Sequence, residues 1–463
     1  MTTSQPNNNL STPAAAAAFD PEPLPPLHAQ RNYRRWLLAD SSALLSGGIY
    51  GFIFPLMLLA ATGSPVLAGS LAALGMAARA SVILAGGAMA DRTDKARMIV
   101  IGSLCGAAVT AALALGIGSG SLPVPLLCLA HVLMELRGGY FGSTTNAALK
   151  DLVHPKQLGR AMAANQGRDS VLMLGSAPLG GILLGLGGGI ALLAVAVLNL
   201  IAAASGFALR RPLRAAQQSF RERGEAGTGG EEKVAHGILA GMRWCFSRPQ
   251  LRALLILITV VNIGVNGLMT TLIYGLEQRS EAPWIIGLAS TCMGAGMLIG
   301  SLAATSLIEK FRSGLLACNC LTLLGAAMLL IGFNTNLLWM GSMLLLSFLS
   351  VPALNAAVGG YFMACVPQDM SGRANSLITF MALAALPLAP LATGLGLEWV
   401  GMGPTLIFFG ALVSLAAILA WLSPQVRGIP HPEHWVAAAS PAPLERASSD
   451  GSQKSPAPAS PTE

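Results

Sequence analysis

Charge is scarce in this chain. Only 11% of its 463 residues are charged and 6% are aromatic, whereas 53% are hydrophobic. Soluble domains carry roughly 25% charged residues, so this composition excludes an ordinary soluble globular protein. A transmembrane β-barrel is also disfavoured, because its strands would alternate in hydrophobicity over short segments, whereas the apolar runs here are long. We predict an all-α polytopic membrane protein.

The sequence motifs of several enzyme classes are missing as well. No Cys-x-x-Cys pair or His and Cys cluster has the spacing of a metal site, and most of the seven cysteines lie in apolar runs. There is no Gly-x-Ser-x-Gly, no His-x-x-x-His and no phosphate-binding Gly-Lys-Ser/Thr. We therefore expect no enzyme activity, no cofactor, no metal and no ATP drive.

The net charge of +7 does not indicate a nucleic-acid partner. The basic residues lie in short loops beside apolar runs, where anchoring at a membrane surface explains them. The first thirty residues lack a basic region followed by an apolar stretch, so we expect no cleavable signal peptide.

The most informative stretch is Gly87–Met98, a charged turn between two apolar runs. Five charged residues lie within the seven positions from Asp91 to Arg97. The flanking runs contain no Lys, Glu or Asp. Each is longer than the ~20 residues that a helix needs to cross ~30 Å of hydrocarbon. We predict transmembrane helices on both sides of this turn.

The same alternation of long apolar runs and short loops continues along the chain. It predicts twelve transmembrane helices. The start of span five, Leu158-Gly159-Arg160-Ala161, is echoed by Ser371-Gly372-Arg373-Ala374 at the start of span eleven, which supports two pseudo-symmetric six-helix bundles. The predicted spans are 36–61, 65–90, 97–118, 123–147, 160–185, 187–209, 251–276, 284–307, 314–333, 338–363, 373–396 and 402–423.

These spans define a domain organisation. It comprises a disordered N-terminal tail (1–30), a first bundle (31–209), a linker with an interfacial helix (210–250), a second bundle (251–423) and a disordered C-terminal tail (424–463). The basic residues collect in the loops on one side. The positive-inside rule therefore places both termini in the cytoplasm of a multi-pass cell-membrane protein.

The charged turn resembles the signature loop of the major facilitator superfamily, in the pattern Gly87-x-x-x-Asp91-Arg92-x-x-Lys95-x-Arg97. The turn Thr62-Gly63-Ser64-Pro65 and the acid at Asp94 are similar to the drug:proton antiporter branch that contains macrolide and enterobactin exporters. The resemblance implies that the five quoted loop residues form a conformational latch against the other half. The alternative is a basic topogenic loop with a helix cap.

Span five departs from the antiporter signature of that branch. The branch shows Gly-Pro-x-x-Gly-Gly, whereas this chain has Ser176-Ala177-Pro178-Leu179-Gly180-Gly181, with the proline displaced by one position. Pro178 can still bend the helix, and Gly180 and Gly181 can still admit a close neighbour. We expect these three residues to act in helix packing.

Several charged or titratable residues lie inside the predicted spans. A charge at the centre of a membrane helix costs about 2.5–3.5 kcal/mol on insertion scales, so each of them needs a partner or a role. They are Asp40 in span one, His131, Glu135 and Arg137 in span four, and Arg168 and Asp169 in span five. We predict that this set couples protons to substrate.

His131 and Glu135 are four residues apart and share a helix face. Burial favours the neutral form of a carboxyl group and a nearby cation favours the charged form, so Glu135 can exchange a cationic partner for a proton. Arg137 faces away from Glu135 and is expected to meet Asp40 or Asp169. A purely structural ion pair of Asp40 or Arg168 is the alternative, as is a hydrogen-bonded helix contact for His131.

The prediction for function is proton-coupled efflux of a small amphipathic compound, such as a drug, antibiotic or siderophore, by alternating access. The expected partners are this substrate, protons and membrane lipids, and we expect a monomer. Transport of a lipid-like substrate or a nutrient is one alternative. A non-transporting membrane receptor is the other.

Overall fold

The computed structural model describes residues 25–118, 123–215, 246–365 and 386–435. These residues are almost entirely α-helical, and no strand occurs among them. They include ten helical segments long and apolar enough to cross a membrane. The predicted all-α polytopic class is therefore confirmed. The N-terminal tail to residue 24, the predicted interfacial helix His236–Phe246 except for Phe246 itself, and the C-terminal tail from residue 436 lie outside the described residues.

The first half consists of long membrane helices and one short helix. They are α1 (Arg31–Thr62), α2 (Pro65–Arg92), α3 (Lys95–Gly118), α4 (Val124–Phe141), α5 (Thr144–Leu152), α6 (Pro155–Leu186) and α7 (Gly188–Ala208). Gly63 ends α1 in the left-handed conformation, with φ of 64°, and Ser64 caps α2 by accepting a hydrogen bond from the Leu67 amide. The predicted fourth span is split into α4 and α5 at Gly142 and Ser143.

The second half repeats this plan. Its helices are α8 (Pro249–Gln278), α9 (Pro283–Lys310), α10 (Ser313–Ile331), α11 (Leu337–Leu349), α12 (Val351–Cys365), α13 (Leu388–Trp399), α14 (Met402–Leu422) and α15 (Pro424–Arg427). Helices α11 and α12 together make the predicted tenth span. Only the second part of the predicted eleventh span, α13, lies within the described residues.

The turns alternate between two faces of the molecule. We call the face with the turn at Thr93 and Asp94 the charged face, and the face with the turn at Gly63 and Ser64 the opposite face. At the opposite face, one apolar core contains Phe52 and Ile53 from the first half together with Ile286 and Leu397 from the second. The two halves are therefore packed together at the opposite face.

Glycines allow this packing at two helix crossings. A Cβ at Gly394 on α13 would lie 2.5 Å from the carbonyl oxygen of Pro65, at the start of α2. Gly69 on α2 faces the backbone of Pro390 and Gly394 in return. The hydroxyl of Ser64 also donates to Glu398 Oε2 at 3.0 Å. Close backbone approach thus replaces side-chain interdigitation between α2 and α13.

The second crossing joins α6 to α9. A Cβ at Gly181 would meet the backbone of Pro283 and Trp284, and one at Gly287 would meet Ala177 and Pro178. Gly180 instead faces α1, where Phe52 and Ile53 lie beside it. The displaced proline therefore lies inside α6, directly at the crossing between the halves.

The chain after α14 differs from its sequence-based description. Residues 424–435, which we call the strap, were expected to begin a disordered tail, but they fold back onto the second half at the charged face. Val426 and Ile429 are buried, and the Gly314 amide donates to the Ile429 carbonyl at 3.2 Å. His431 Nε2 lies 2.8 Å from the Glu309 carbonyl oxygen.

Trp435 ends the strap in a niche on the second half. Its indole Nε1 donates to Ser313 Oγ at 3.2 Å, and its ring packs edge-on to Tyr361 with centroids 6.3 Å apart. Gly360 leaves the space for the ring, because a Cβ there would lie 2.7 Å from it. The strap therefore fastens α12 to the loop between α9 and α10.

Truncation separates the strap from the residues beyond it. A chain ending at Trp435 keeps all these contacts and is expected to match the full-length protein in thermal unfolding. A chain ending at Ser423 loses the burial of Val426 and Ile429, worth about 3–6 kcal/mol together, and is expected to unfold several degrees lower. Equal unfolding temperatures for both truncations would show that the strap contributes no stability.

Candidate functional site

The polar face of α4 is directed at α2 near the middle of the membrane. Glu135 Oε2 lies 3.6 Å from Arg79 Nη1, with the Glu135 side chain 19% exposed and the Arg79 side chain 50% exposed. Arg79 is not among the site residues predicted from the sequence, because only Lys, Glu and Asp were considered in the apolar run before Gly87. Arg79 could have been identified from the sequence as a single arginine at the centre of a predicted span.

His131 lies one turn from Glu135 in an aromatic stack. Its ring is 4.7 Å from that of Phe54, centroid to centroid and nearly parallel, and 6.5 Å from that of Tyr50. The side chain is buried, and neither ring nitrogen has a hydrogen-bond partner among the described residues. His131 therefore does not make a hydrogen-bonded helix contact, its alternative role, with any described residue.

Glycines bring α2 and α4 close enough for these contacts. A Cβ at Gly75 on α2 would collide with the His131 ring, and one at Gly139 on α4 would lie 2.5 Å from the Arg79 carbonyl oxygen. A third glycine, Gly86, faces the Tyr140 backbone. The close approach of the α2 and α4 backbones therefore places Arg79 and Glu135 next to each other.

Arg137 does not meet the carboxylates expected from the sequence. Its Nε donates to the Gly102 carbonyl at 2.6 Å and its Nη2 donates to Asn199 Oδ1 at 2.8 Å. Asn199 Nδ2 in turn donates to Ser46 Oγ at 2.6 Å. Uncharged acceptors on neighbouring helices thus satisfy the guanidinium, which links α4 to α3, α7 and α1.

We expect Arg137→Met to lower stability through this network. It removes two charge-assisted hydrogen bonds and leaves buried acceptors behind, at a cost of about 1–3 kcal/mol. Thermal unfolding of the purified protein, followed by tryptophan fluorescence, measures the change. Arg252→Met, at an exposed position of α8, is the matched control. An unfolding temperature equal to that of the control would contradict a tethering role.

Asp40 and Asp169 share one cation instead. Arg168 Nη2 bonds to Asp40 Oδ2, and Arg168 Nε donates to Asp169 Oδ1 at 3.0 Å. The guanidinium also lies over the Trp36 ring, 5.4 Å from its centroid. The indole Nε1 of Trp36 donates to the Thr145 carbonyl at 2.7 Å. Asp40 and Arg168 therefore form an ion pair between α1 and α6.

Comparison with known proteins identifies the family of this chain. Residues 37–281, more than half of the chain, match the family model of the Major Facilitator Superfamily. The chain belongs to the major facilitator superfamily. It is a transporter and not an enzyme, and members of this superfamily carry small molecules. It is 25% identical over 417 residues to the multidrug efflux pump Tap of Mycolicibacterium fortuitum, covering 84% of this chain and 95% of that one.

Solved structures of low identity share the major facilitator fold. A bacterial homologue of the iron transporter ferroportin in an inward-facing state has a TM-score of 0.64 at 14% identity, covering 88% of this chain and 99% of that one. The nucleoside transporter NupG has a TM-score of 0.63 at 12% identity, covering 84% and 99%. The inward-open xylose transporter XylE from E. coli has a TM-score of 0.56 at 13% identity, covering 84% and 95%.

In this major facilitator protein, two charged residues of the signature turn, Asp94 and Lys95, form ion pairs. Lys95 Nζ lies 2.7 Å from Asp151 Oδ2, and Arg214 Nε lies 2.6 Å from Asp94 Oδ2. Arg97 is exposed. At Gly87 an added Cβ would meet open space. The side chains of Asp91 and Arg92 lie outside what the structure describes, so the latch stays a prediction.

The Asp94 pair stays charged under physiological conditions. Partial burial raises the pKa of Asp94, but hydrogen bonds from Arg214 and from the Arg97 amide outweigh it, so the pKa falls below its ordinary 3.8. A carboxylate with a lowered pKa stabilises the fold fully above its unfolded pKa and loses this contribution only as the pH falls through the folded value. Asp94 is thus ionised throughout the neutral range.

Proposed function

We propose that this protein exports a small amphipathic compound in exchange for protons, by alternating access. The observation that carries the proposal is the Arg79–Glu135 ion pair, a partly buried acid and base on neighbouring helices of the first half. The likeness to a multidrug efflux pump supports export as the direction of transport and a drug as the substrate.

The pair has the chemistry that proton exchange requires. An ionised carboxylate in a poorly hydrated site is stabilised by a nearby cation, and a proton can replace that cation. Protonation of Glu135 releases Arg79, and a cationic or strongly hydrogen-bonding substrate can take the place of Arg79 beside the ionised Glu135. The adjacent Phe54 and His131 rings offer an apolar, aromatic surface for the rest of such a compound.

Helix α2 connects this pair to the closure between the halves. Arg79 lies near its middle, whereas Ser64 and Gly69 at its first turns contact α13 of the other half. A change in the Arg79–Glu135 contact therefore acts on the same rigid helix that seals the opposite face. This arrangement provides a direct mechanical route from proton binding to alternating access.

We further propose that the charged face is cytoplasmic and that the protein acts as a monomer in the plasma membrane. Its loops carry the basic residues that the positive-inside rule assigns to the cytoplasm. Closure at the opposite face then corresponds to a conformation open toward the cell interior, the side from which an exporter takes up its substrate.

A flux assay tests the proposed function. The purified protein is reconstituted into liposomes, and a panel of amphipathic cations, zwitterions and neutral compounds is offered with and without an imposed pH gradient. We expect accumulation of at least one compound against its gradient, driven by protons moving the other way. Binding of a compound without flux in either direction would overturn the proposal in favour of a receptor.

A further inference from the structure

A separate cavity opens between α5 and α6, toward the charged face. Its volume is about 420 Å³, within the range of pockets that hold small ligands. Its walls are polar for a cavity in a membrane protein. They are formed by Ser143 just before α5, by Asn146 and Lys150 from α5, and by Met162, Asn165 and Asp169 from α6.

The two walls carry opposite charge. Asp169 on α6 and Asp40 on α1 share the single guanidinium of Arg168, which leaves one negative charge in excess. Asp169 carries that excess toward the cavity, because its side chain is 33% exposed against 12% for Asp40. On α5, Lys150 is exposed and has no ion pair with any described residue. Neighbouring Asp151 is already paired with Lys95.

Asn165 provides an unused donor between these charges. The residue is buried, with 7% of its surface exposed, and its Oδ1 accepts a hydrogen bond from the Tyr33 hydroxyl at 3.1 Å, which fixes the orientation of the amide. Its Nδ2 has no hydrogen-bond partner among the described residues. An unpaired buried amide N–H costs free energy that a ligand oxygen would recover.

We infer that this cavity is a binding site for a zwitterionic headgroup, with an amine held by Asp169 and an oxyanion held by Lys150 and Asn165. Met162 and Ala147 give the apolar remainder of such a molecule a surface to lie against. The site lies apart from the Arg79–Glu135 pair, and it requires neither proton coupling nor a direction of transport. The headgroup can belong to a transported amphipath or to a membrane phospholipid.

Three fluorescent probes of equal bulk test this inference. Nε-dansyl-lysine is a zwitterion, dansylcadaverine has only the amine, and dansyl-aminohexanoate has only the carboxylate. Their binding to the protein in nanodiscs is titrated at equilibrium, without a pH gradient. We expect the zwitterion to bind at least about fivefold more tightly than either singly charged probe, the equivalent of about 1 kcal/mol for a partly exposed ion pair.

Variants assign each charge to its part of the probe. Lys150→Met is expected to weaken Nε-dansyl-lysine about fivefold and to leave dansylcadaverine unchanged, whereas Lys150→Arg keeps the affinity. Asp169→Asn should weaken the two amine probes and spare dansyl-aminohexanoate. Lys310→Met, at an exposed position of the other half, removes the same charge and should change nothing.

A comparison of nanodiscs made from two lipids distinguishes the two sources of the headgroup. Weaker Nε-dansyl-lysine binding in phosphatidylethanolamine nanodiscs than in phosphatidylglycerol nanodiscs identifies the lipid as occupant, and equal binding identifies the soluble amphipath. Equal affinity for all three probes, or equal losses in Lys150→Met and Lys310→Met, would overturn the inference. Because binding is measured at equilibrium, a negative binding result does not contradict proton-driven flux. A negative flux result, in turn, does not contradict the binding site.

Discussion

We expect that a pH gradient drives no accumulation of substrate by the Glu135→Gln protein, so that the substrate only equilibrates across the membrane. One unit of pH gradient is worth about 1.4 kcal/mol per proton, which supports up to about a tenfold concentration ratio in a one-to-one exchange. Glutamine has nearly the same volume as glutamate and still hydrogen-bonds to Arg79, but it cannot bind and release a proton. The ratio across the liposome membrane should therefore fall to about one.

Two further measurements separate coupling from folding. Exchange of labelled for unlabelled substrate at equal pH needs no net proton movement and should survive in Glu135→Gln. Asp94→Asn removes a carboxylate that is ionised throughout the neutral range, so it should keep the accumulation ratio. A Glu135→Gln protein that still accumulates substrate about tenfold would show that the proton is carried elsewhere.

The sequence predicts the class and most of the spans because the membrane imposes the rules. Long apolar runs, charged turns and the Gly63–Ser64 cap are local features, and no water is present in the bilayer to permit other structures. The turn residues follow the same local rules at single positions. Gly63 adopts the left-handed conformation, and Ser64 caps the next helix.

Side-chain partners were less predictable, because helix periodicity gives the face of a residue but not the neighbour opposite that face. Glu135 was correctly placed on one face with His131, yet its partner, Arg79, comes from a different helix. Arg137 was assigned a carboxylate because a buried cation usually needs one. A backbone carbonyl and an amide oxygen satisfy it instead.

The strap was unpredictable for a different reason. A short Pro-containing segment has no helical or strand period, and its order depends on tertiary contacts. Gly314 and Gly360 provide the room, and the backbone of Val426 and Arg427 and the ring of Trp435 occupy it. Both glycines lie more than fifty residues before the strap in sequence, so no local pattern connects them to it.

Gly394→Val is expected to force the halves apart at the opposite face. A Cβ at this position would lie 2.5 Å from the Pro65 carbonyl oxygen and 3.0 Å from the Val66 Cα, both of which are backbone atoms that cannot move aside alone. Overpacking of this kind costs about 1–3 kcal/mol, and only the closed state bears it. The population should therefore shift about 5- to 150-fold toward the state that is open at this face.

Spin labels report the shift directly. Leu186 at the end of α6 and Leu338 at the start of α11 are exposed, lie at the opposite face and belong to different halves. In a background without the seven cysteines, electron-spin distance measurement between labels at these positions should show a longer distance as the major population in Gly394→Val. Efflux should fall as well, because alternating access needs the closed state in every cycle.

The matched control is Gly359→Val on α12. It adds the same β-branched side chain to a membrane helix of the second half, but an added Cβ there meets nothing within 4 Å. It should keep the short distance and the efflux rate of the unmodified protein. If Gly394→Val also keeps the short distance, then the α2–α13 crossing is not what closes this face, and the α6–α9 crossing at Gly181 and Gly287 must hold it shut.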